Sequence, residues 1–128
     1  MRRAWRIVAW LCATAGVLTA ADENLAARVV VLANSDDPGS LRIAQHHAEV
    51  RGVPAANIIA LKLPLAETIT WREFIATLWQ PLIEALVAAK WLDAIPMDLT
   101  DPVGRKKYAP YRHRIAALVV CRGVPLRI

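Results

Sequence analysis

Residues 28–52, RVVVLANSDDPGSLRIAQHHAEVRG, decide the fold of this chain. The stretch opens on a β-branched run, Val29, Val30 and Val31 followed by Leu32 and Ala33, and stops at the turn-forming SDDPGS. A continuous apolar run bounded by turn residues fits a strand buried on both faces, as in a parallel sheet. The next residues, LRIAQHHAEVRG (41–52), read as a helix. Turning 100° per residue places Leu41, Ile43, Ala44, His47, Ala48 and Val50 on one half and Arg42, Gln45, His46 and Glu49 on the other. Gly52 then falls where a helix end calls for positive φ. After VPAA, the run NIIALKL (57–63) predicts a second strand.

A second helix is predicted from TWREFIATLWQPLIEALVAAKWL (70–92). Thr70 and Glu73 have the spacing of a capping box, in which each side chain satisfies a free backbone N–H near the other residue. Phe74, Leu78, Leu82, Ala85 and Ala89, flanked by Trp71, Ile75 and Leu86, form an apolar stripe opposite Glu73, Thr77, Gln80 and Glu84. Pro81 removes one backbone donor without putting the stripe out of phase, so a kinked helix is expected. Residues 95–113 read as a long irregular segment, and IAALVVC (115–121) as a third buried-type strand. The order strand, helix, strand, helix, strand implies a three-layer α/β arrangement with a parallel sheet, a β-α-β-α-β unit. Such a sheet holds ligands beyond the carboxyl ends of its strands, here residues 34–37 and 121–123. Three strands with no helix covering the last make a poor closed unit, so an incomplete part of a larger domain is expected.

The first residues, MRRAWRIVAWLCATAGVLTAADEN, place Arg2, Arg3 and Arg6 ahead of an apolar stretch from Ile7 to Leu18, then Thr19, Ala20 and Ala21. That is the layout of a secretory signal peptide, and the stretch is too short for the ~20 residues a membrane span requires. Residues 1–21 are therefore expected to be a removed signal and 22–128 the N-terminal part of an exported α/β domain, with no membrane span in the mature chain. Twin-arginine export lacks the usual polar residue before Arg2 and Arg3, and lipidation of Cys12 lacks small residues before it. Of 16 basic residues three leave with the signal, against none of the 11 acidic ones, so the formal charge falls from +5 to +2. The basic excess thus belongs mostly to the export segment and argues against a nucleic-acid partner. Cys121 is left alone, and no internal disulfide is expected.

Candidate chemistry gathers at the strand ends. Asp36 and Asp37 could hold a polar ligand, or could cap the helix that starts beyond them. Arg122, directly after the third strand and before Gly123, could present a guanidinium at the sheet mouth or pair with one of those aspartates. Cys121 could act as a nucleophile only with a base and some exposure, and its place in an apolar run favours packing. SDDPGS lacks the spacing of a dinucleotide or P-loop cradle, so no cofactor is expected. The acidic cluster and helix have a passing likeness to a phospho-receiver, which would require an aspartate where Cys121 and Arg122 stand. His46 and His47 point about 100° apart on a helix and share no metal, so no metal site is expected. His47 falls on the apolar half, and His113 lies in the basic segment. That segment, GRKKYAPYRHR, could track an anionic polymer through Arg105, Lys106, Lys107, Arg112 and Arg114 with Tyr108 and Tyr111 as stacking platforms, or could be a solvated loop.

Three blocks together, VVVLANSDDPGSLRIAQHHAEVRGVPAANI, ITWREFIATLWQPLIEAL and ALVVCRGVPLRI, resemble the opening of an uncharacterised family of exported bacterial proteins. That family co-occurs with exosortase, a proposed protein-sorting transpeptidase. The resemblance implies a longer protein of which this is the N-terminal portion, and it implies no catalytic residues, since the family brings no assigned activity. It further implies that the position of Cys121 is commonly polar or basic, which weakens a thiol nucleophile. Two functional classes result: a binding module working with envelope or sorted surface proteins, and a secreted hydrolase or peptidase with Asp36, Asp37 and Arg122 lining one wall of its site. A caspase-like version is disfavoured because Arg122 stands where that analogy wants a histidine.

Overall fold

The computed structural model describes residues 25–128, so the expected signal segment and the boundary after Ala21 lie outside the described residues. The elements run β1 (Val29–Asn34), α1 (Pro38–Arg51), β2 (Ile58–Leu61), α2 (Trp71–Glu73), a π-helical turn (Phe74–Trp79), α3 (Gln80–Ala88), β3 (Leu92–Thr100), β4 (Lys106–His113) and β5 (Ala117–Val120). The expected α/β unit is present. A parallel three-stranded sheet has the order β2-β1-β5, with Val31 opposite Ile58 on one side and Val119 on the other.

β1 lies in the middle because every residue after Val29 can be buried on both faces. Val30, Val31 and Ala33 are 0 % exposed and Leu32 2 %. Burial of such aliphatic side chains stabilises by roughly 1.5–3 kcal/mol each, which makes β1 the strand the fold depends on most. Alternation divides it between two layers. Val30 and Leu32 pack with Leu63, Leu78, Leu82, Leu86 and Val124 under the second helix. Val31 and Ala33 pack with Ala44, Ala48, Val53 and Cys121 under α1.

α1 starts and stops as its ends dictate. Pro38 occupies the first turn, where its missing N–H costs nothing, and Gly52 closes the helix at φ 65° with its N–H on the carbonyls of Ala48 and Glu49. The second helical segment begins with the capping box: Glu73 N–H donates to Thr70 Oγ1 and Thr70 N–H to a Glu73 carboxylate oxygen. Pro81 is accommodated within one continuous helical segment, as expected, through a widened turn. The turn over Phe74–Trp79 widens, so that Gln80 N–H reaches the carbonyl of Ile75, and the helix continues through Pro81 into α3. A wide turn just ahead of proline lets the chain absorb a missing donor while Ile75, Leu78, Leu82 and Leu86 stay buried. Trp71, expected beside the stripe, is 45 % exposed, and Ala89 is exposed beyond the helix end.

The stretch expected to be irregular is instead an antiparallel hairpin. β3 and β4 pair from Leu92 opposite His113 to Thr100 opposite Lys106, with irregularities after Asp93 and after Pro96. Pro96 and Pro110 are tolerated because a two-stranded ribbon has two open edges and bulges that need no donor at those points. No helix among the described residues is long and apolar enough to cross a membrane.

Candidate functional site

The carboxyl ends of β1, β2 and β5 meet around one buried residue, Asn34, which is 0 % exposed. Its Nδ2 donates to the carbonyls of Leu63 (3.1 Å), beyond β2, and Gly123 (2.7 Å), beyond β5. Its Oδ1 accepts from Leu63 N–H (3.1 Å) and Asp36 N–H (2.9 Å), and its backbone N–H donates to Ser40 Oγ (2.9 Å) of α1. One amide thus ties three chain segments by four side-chain hydrogen bonds, all of its ordinary capacity. Asn34 lies in the strand-end region 34–37 that the sequence marks, but neither it nor Ser40 is given a role there. The available signal was a lone amide ending a run otherwise apolar throughout.

Around this clamp the three candidate residues separate. Asp37 is the N-cap of α1, its Oδ1 accepting from Gly39 N–H at 2.8 Å. The same carboxylate pairs with Arg122 through Oδ2 and Nε at 3.3 Å. The Gly39 N–H, joined by the positive charge of Arg122, holds the Asp37 carboxyl below its ordinary pKa against the opposing effect of burial. Asp36 does not join them: its side chain is exposed, and only its backbone N–H is engaged, by Asn34. The fold therefore brings Asp37 and Arg122 together and leaves Asp36 outside. Gly123 makes the approach possible, since at φ 80° a Cβ there would stand 2.7 Å from Asp37 Oδ2.

Cys121 faces the α1 layer, 6 % exposed, among Val31, Ala33, Ala44, Ala48 and Val53. Burial pushes its thiol pKa up, the opposite of what a nucleophilic thiolate requires. Its place in the apolar layer is the packing role. An open groove of about 580 Å³ runs beside it along α1, lined by Arg42, Ile43, His46, His47, Val50 and Arg122 among others. His46 is exposed and His47 half-buried, and among the described residues no three His, Cys, Asp or Glu side chains converge on a metal position.

The basic segment is held by partners along β4. Arg112 pairs with Asp93 across the hairpin at 2.7 Å, Arg105 with Asp101 at 3.0 Å, and Lys106 with Glu84 of α3 at 3.8 Å. Arg114 Nε donates to the Lys90 carbonyl at 2.7 Å. Tyr108 is half-buried and lines a pocket with Trp79 and Ile83, while Tyr111 is 69 % exposed, so the two rings do not form a shared stacking platform. A nucleic-acid track needs unneutralised cations in a row, and here three of five are matched to acids.

The arrangement at the strand ends is a mechanical junction: an amide clamp, a helix cap and an ion pair whose arginine side chain is 68 % exposed. No protein-family model, curated protein or solved structure matches this chain.

Proposed function

We propose that this chain is the N-terminal portion of a larger exported α/β protein that works as a binding module at the cell envelope, with surface or sorted proteins as its partners. One observation carries the proposal. β5 is built like an interior strand but, among the described residues, pairs with β1 on one side only, and its Leu118 and Val120 are 43 % and 48 % exposed. Export is supported by the arginines, apolar stretch and small residues of the first 21 positions. The association with exosortase-type sorting rests on the family resemblance. The secreted-hydrolase alternative is less well supported. Its wall residues Asp37 and Arg122 are occupied with a helix cap and with each other, and the thiol beside them is buried.

The experiment is to sequence the encoding DNA past the codon for Ile128 and weigh the product recovered from the cell exterior. The expected result is an N-terminus at Asp22 and a mass well above that of residues 22–128. A retained Met1, or a stop directly after Ile128 with a stable small secreted protein, would overturn the corresponding half of the proposal.

A further inference from the structure

We infer that the hollow at the amino ends of β1 and β2 binds a sugar unit carrying one oxyanion, a carboxylate or a phosphate. The site goes beyond the binding reading above and is independent of it. It lies at the opposite end of the sheet from the Asn34 junction, on the β2 side of β1, so it stands whether or not further chain covers β5.

Separate chain segments wall this hollow of about 600 Å³: the residues entering β1, those entering β2, the end of α3 and the end of β4. Its size is that of an ordinary small-molecule site. One wall is Asn57, 7 % exposed. Its Nδ2 donates to the carbonyls of Ala27 (3.1 Å) and Val29 (2.9 Å), and because both partners are acceptors the amide has one orientation. No donor among the described residues reaches its Oδ1. Leaving a buried acceptor unpaired is costly, and what it calls for is a hydroxyl or N–H entering from the hollow. Trp91 is half-buried, packs against the core layer under the second helix and also lines the hollow. Its indole offers an apolar surface for the C–H face of a sugar ring.

The charge around the hollow is positive. Arg28 donates through Nε to the Arg114 carbonyl at 2.9 Å, and Arg114 donates through Nε at 2.7 Å and through Nη2 to the Lys90 carbonyl. These bonds anchor both guanidiniums, and each keeps its other N–H donors. Neither has an acidic partner among the described residues, and no carboxylate lines the hollow. Arg114 is partly answered by the carbonyl end of α3, whereas Arg28 is not, which makes Arg28 the principal anion contact. His113 stands exposed on the rim. Guanidiniums call for a carboxylate or a phosphate. A bare anion leaves Asn57 and Trp91 unused, a fatty or aryl acid has no donor for Asn57 Oδ1, and an amino acid brings its ammonium up to two guanidiniums. A sugar oxyanion serves every group: its anion meets Arg28 and Arg114, a hydroxyl donates to Asn57 Oδ1, and its ring rests on Trp91.

The test adds glucuronate, glucose 6-phosphate, glucose, acetate and inorganic phosphate in turn to the protein as isolated, following the Trp91 indole N–H by NMR. At least one of the two sugar acids should bind about tenfold more tightly than glucose, the worth of one charge-assisted hydrogen bond, and about tenfold more tightly than its sugar-free anion. Which of them binds better tells whether the site takes a carboxylate or a phosphate. Arg28→Gln should bring that sugar acid down to the level of glucose, and Arg28→Lys should restore part of the difference. Arg112→Gln, whose partner is Asp93 on the hairpin, should change nothing. The ligand comparison on the unaltered protein keeps the test sound should a variant misfold. Equal binding of glucose and the sugar acids, acetate or phosphate binding as tightly as they do, or no binding at all would overturn the inference. So would binding that appears only after Asp22→Asn and Glu23→Gln together, since the chain's own acids would then be the occupant. None of these results depends on the mass and N-terminus that test the reading above.

Discussion

Replacing Asn34 by alanine removes the amide that ties the end of β1 to the segments just beyond β2 and β5. Four hydrogen bonds are lost, and the Leu63 N–H, the Leu63 and Gly123 carbonyls and the Asp36 N–H lose their partner. At about 1 kcal/mol net for each, the loss is roughly 4 kcal/mol. A domain of this size has about 5–15 kcal/mol in all, so Asn34→Ala should approach the threshold of unfolding. Urea denaturation followed by the fluorescence of Trp71, Trp79 and Trp91 measures it, with the midpoint falling and the slope unchanged. Asn34→Asp is the sharper variant because it alters almost no volume. A carboxylate there aims oxygen at the two carbonyls that Nδ2 now serves, so its folded-state pKa rises above the unfolded ~3.9. The folded protein then binds the extra proton more readily, and the deficit relative to wild type should shrink as pH falls towards that value. A loss below about 1 kcal/mol for Asn34→Ala at neutral pH would refute the view that this amide holds the strand ends together.

The same junction yields further outcomes. Gly123→Ala should lower Tm more than Gly104→Ala: both sites have positive φ, costing about 1–2 kcal/mol of backbone strain, but only Gly123 would drive a Cβ into Asp37. Equal shifts in thermal unfolding would remove the packing argument. Because the folded pKa of Asp37 lies below its unfolded value, its contribution is present above the unfolded pKa and lost as pH falls through the folded one. Wild type minus Asp37→Asn should therefore show a stability difference that disappears in acid, measured by denaturation across pH 2 to 6, a range of roughly two units about ~3.9. Iodoacetamide should label Cys121 slowly in the folded protein and at the rate of a free thiol in urea, with mass spectrometry as readout. Rapid labelling of the folded form would make Cys121 a candidate nucleophile again.

The parallel sheet and the α1 layer were legible because each rests on local signals that agree. A continuous apolar run, a turn with Asp37 and Pro38, and a helix closed by Gly52 leave few alternatives, and all three appear as expected. The hairpin was not legible. Its strands contain Pro96 and Pro110 and many charges, and what pairs them is register across the turn and ion pairs such as Asp93 with Arg112, which periodicity does not record. At Pro81 the continuity of the helix was legible, but not the widened turn ahead of the missing donor that makes it possible. At the site, sequence placed Asp37 and Arg122 near each other but could not separate Asp37 from its neighbour Asp36. Only the direction of the backbone after Asn34 decides which aspartate caps the helix. The sequence places Asn34 at the strand end, but its clamping role was not legible, because a lone polar residue there has no pattern to mark it.

The position of β1 has a consequence for how the chain reaches its fold. Val31 finds Ile58 of β2 after 27 residues but finds Val119 of β5 only after 88. Closing the longer loop costs only about 1 kcal/mol more, and the hairpin lying between shortens the effective path. Thermodynamically the difference is small, yet it leads to an expected order in time, with β1, α1 and β2 assembling as a local unit before β5 arrives, which pulse-labelling hydrogen exchange would read as earlier protection of β2 than of β5. During that interval the least exposed strand of the finished molecule stands unpaired along one side. On that order, arrival of β5 closes the interval in which association between chains is most favoured, and the bond from Asn34 Nδ2 to the Gly123 carbonyl is among the last contacts expected to form.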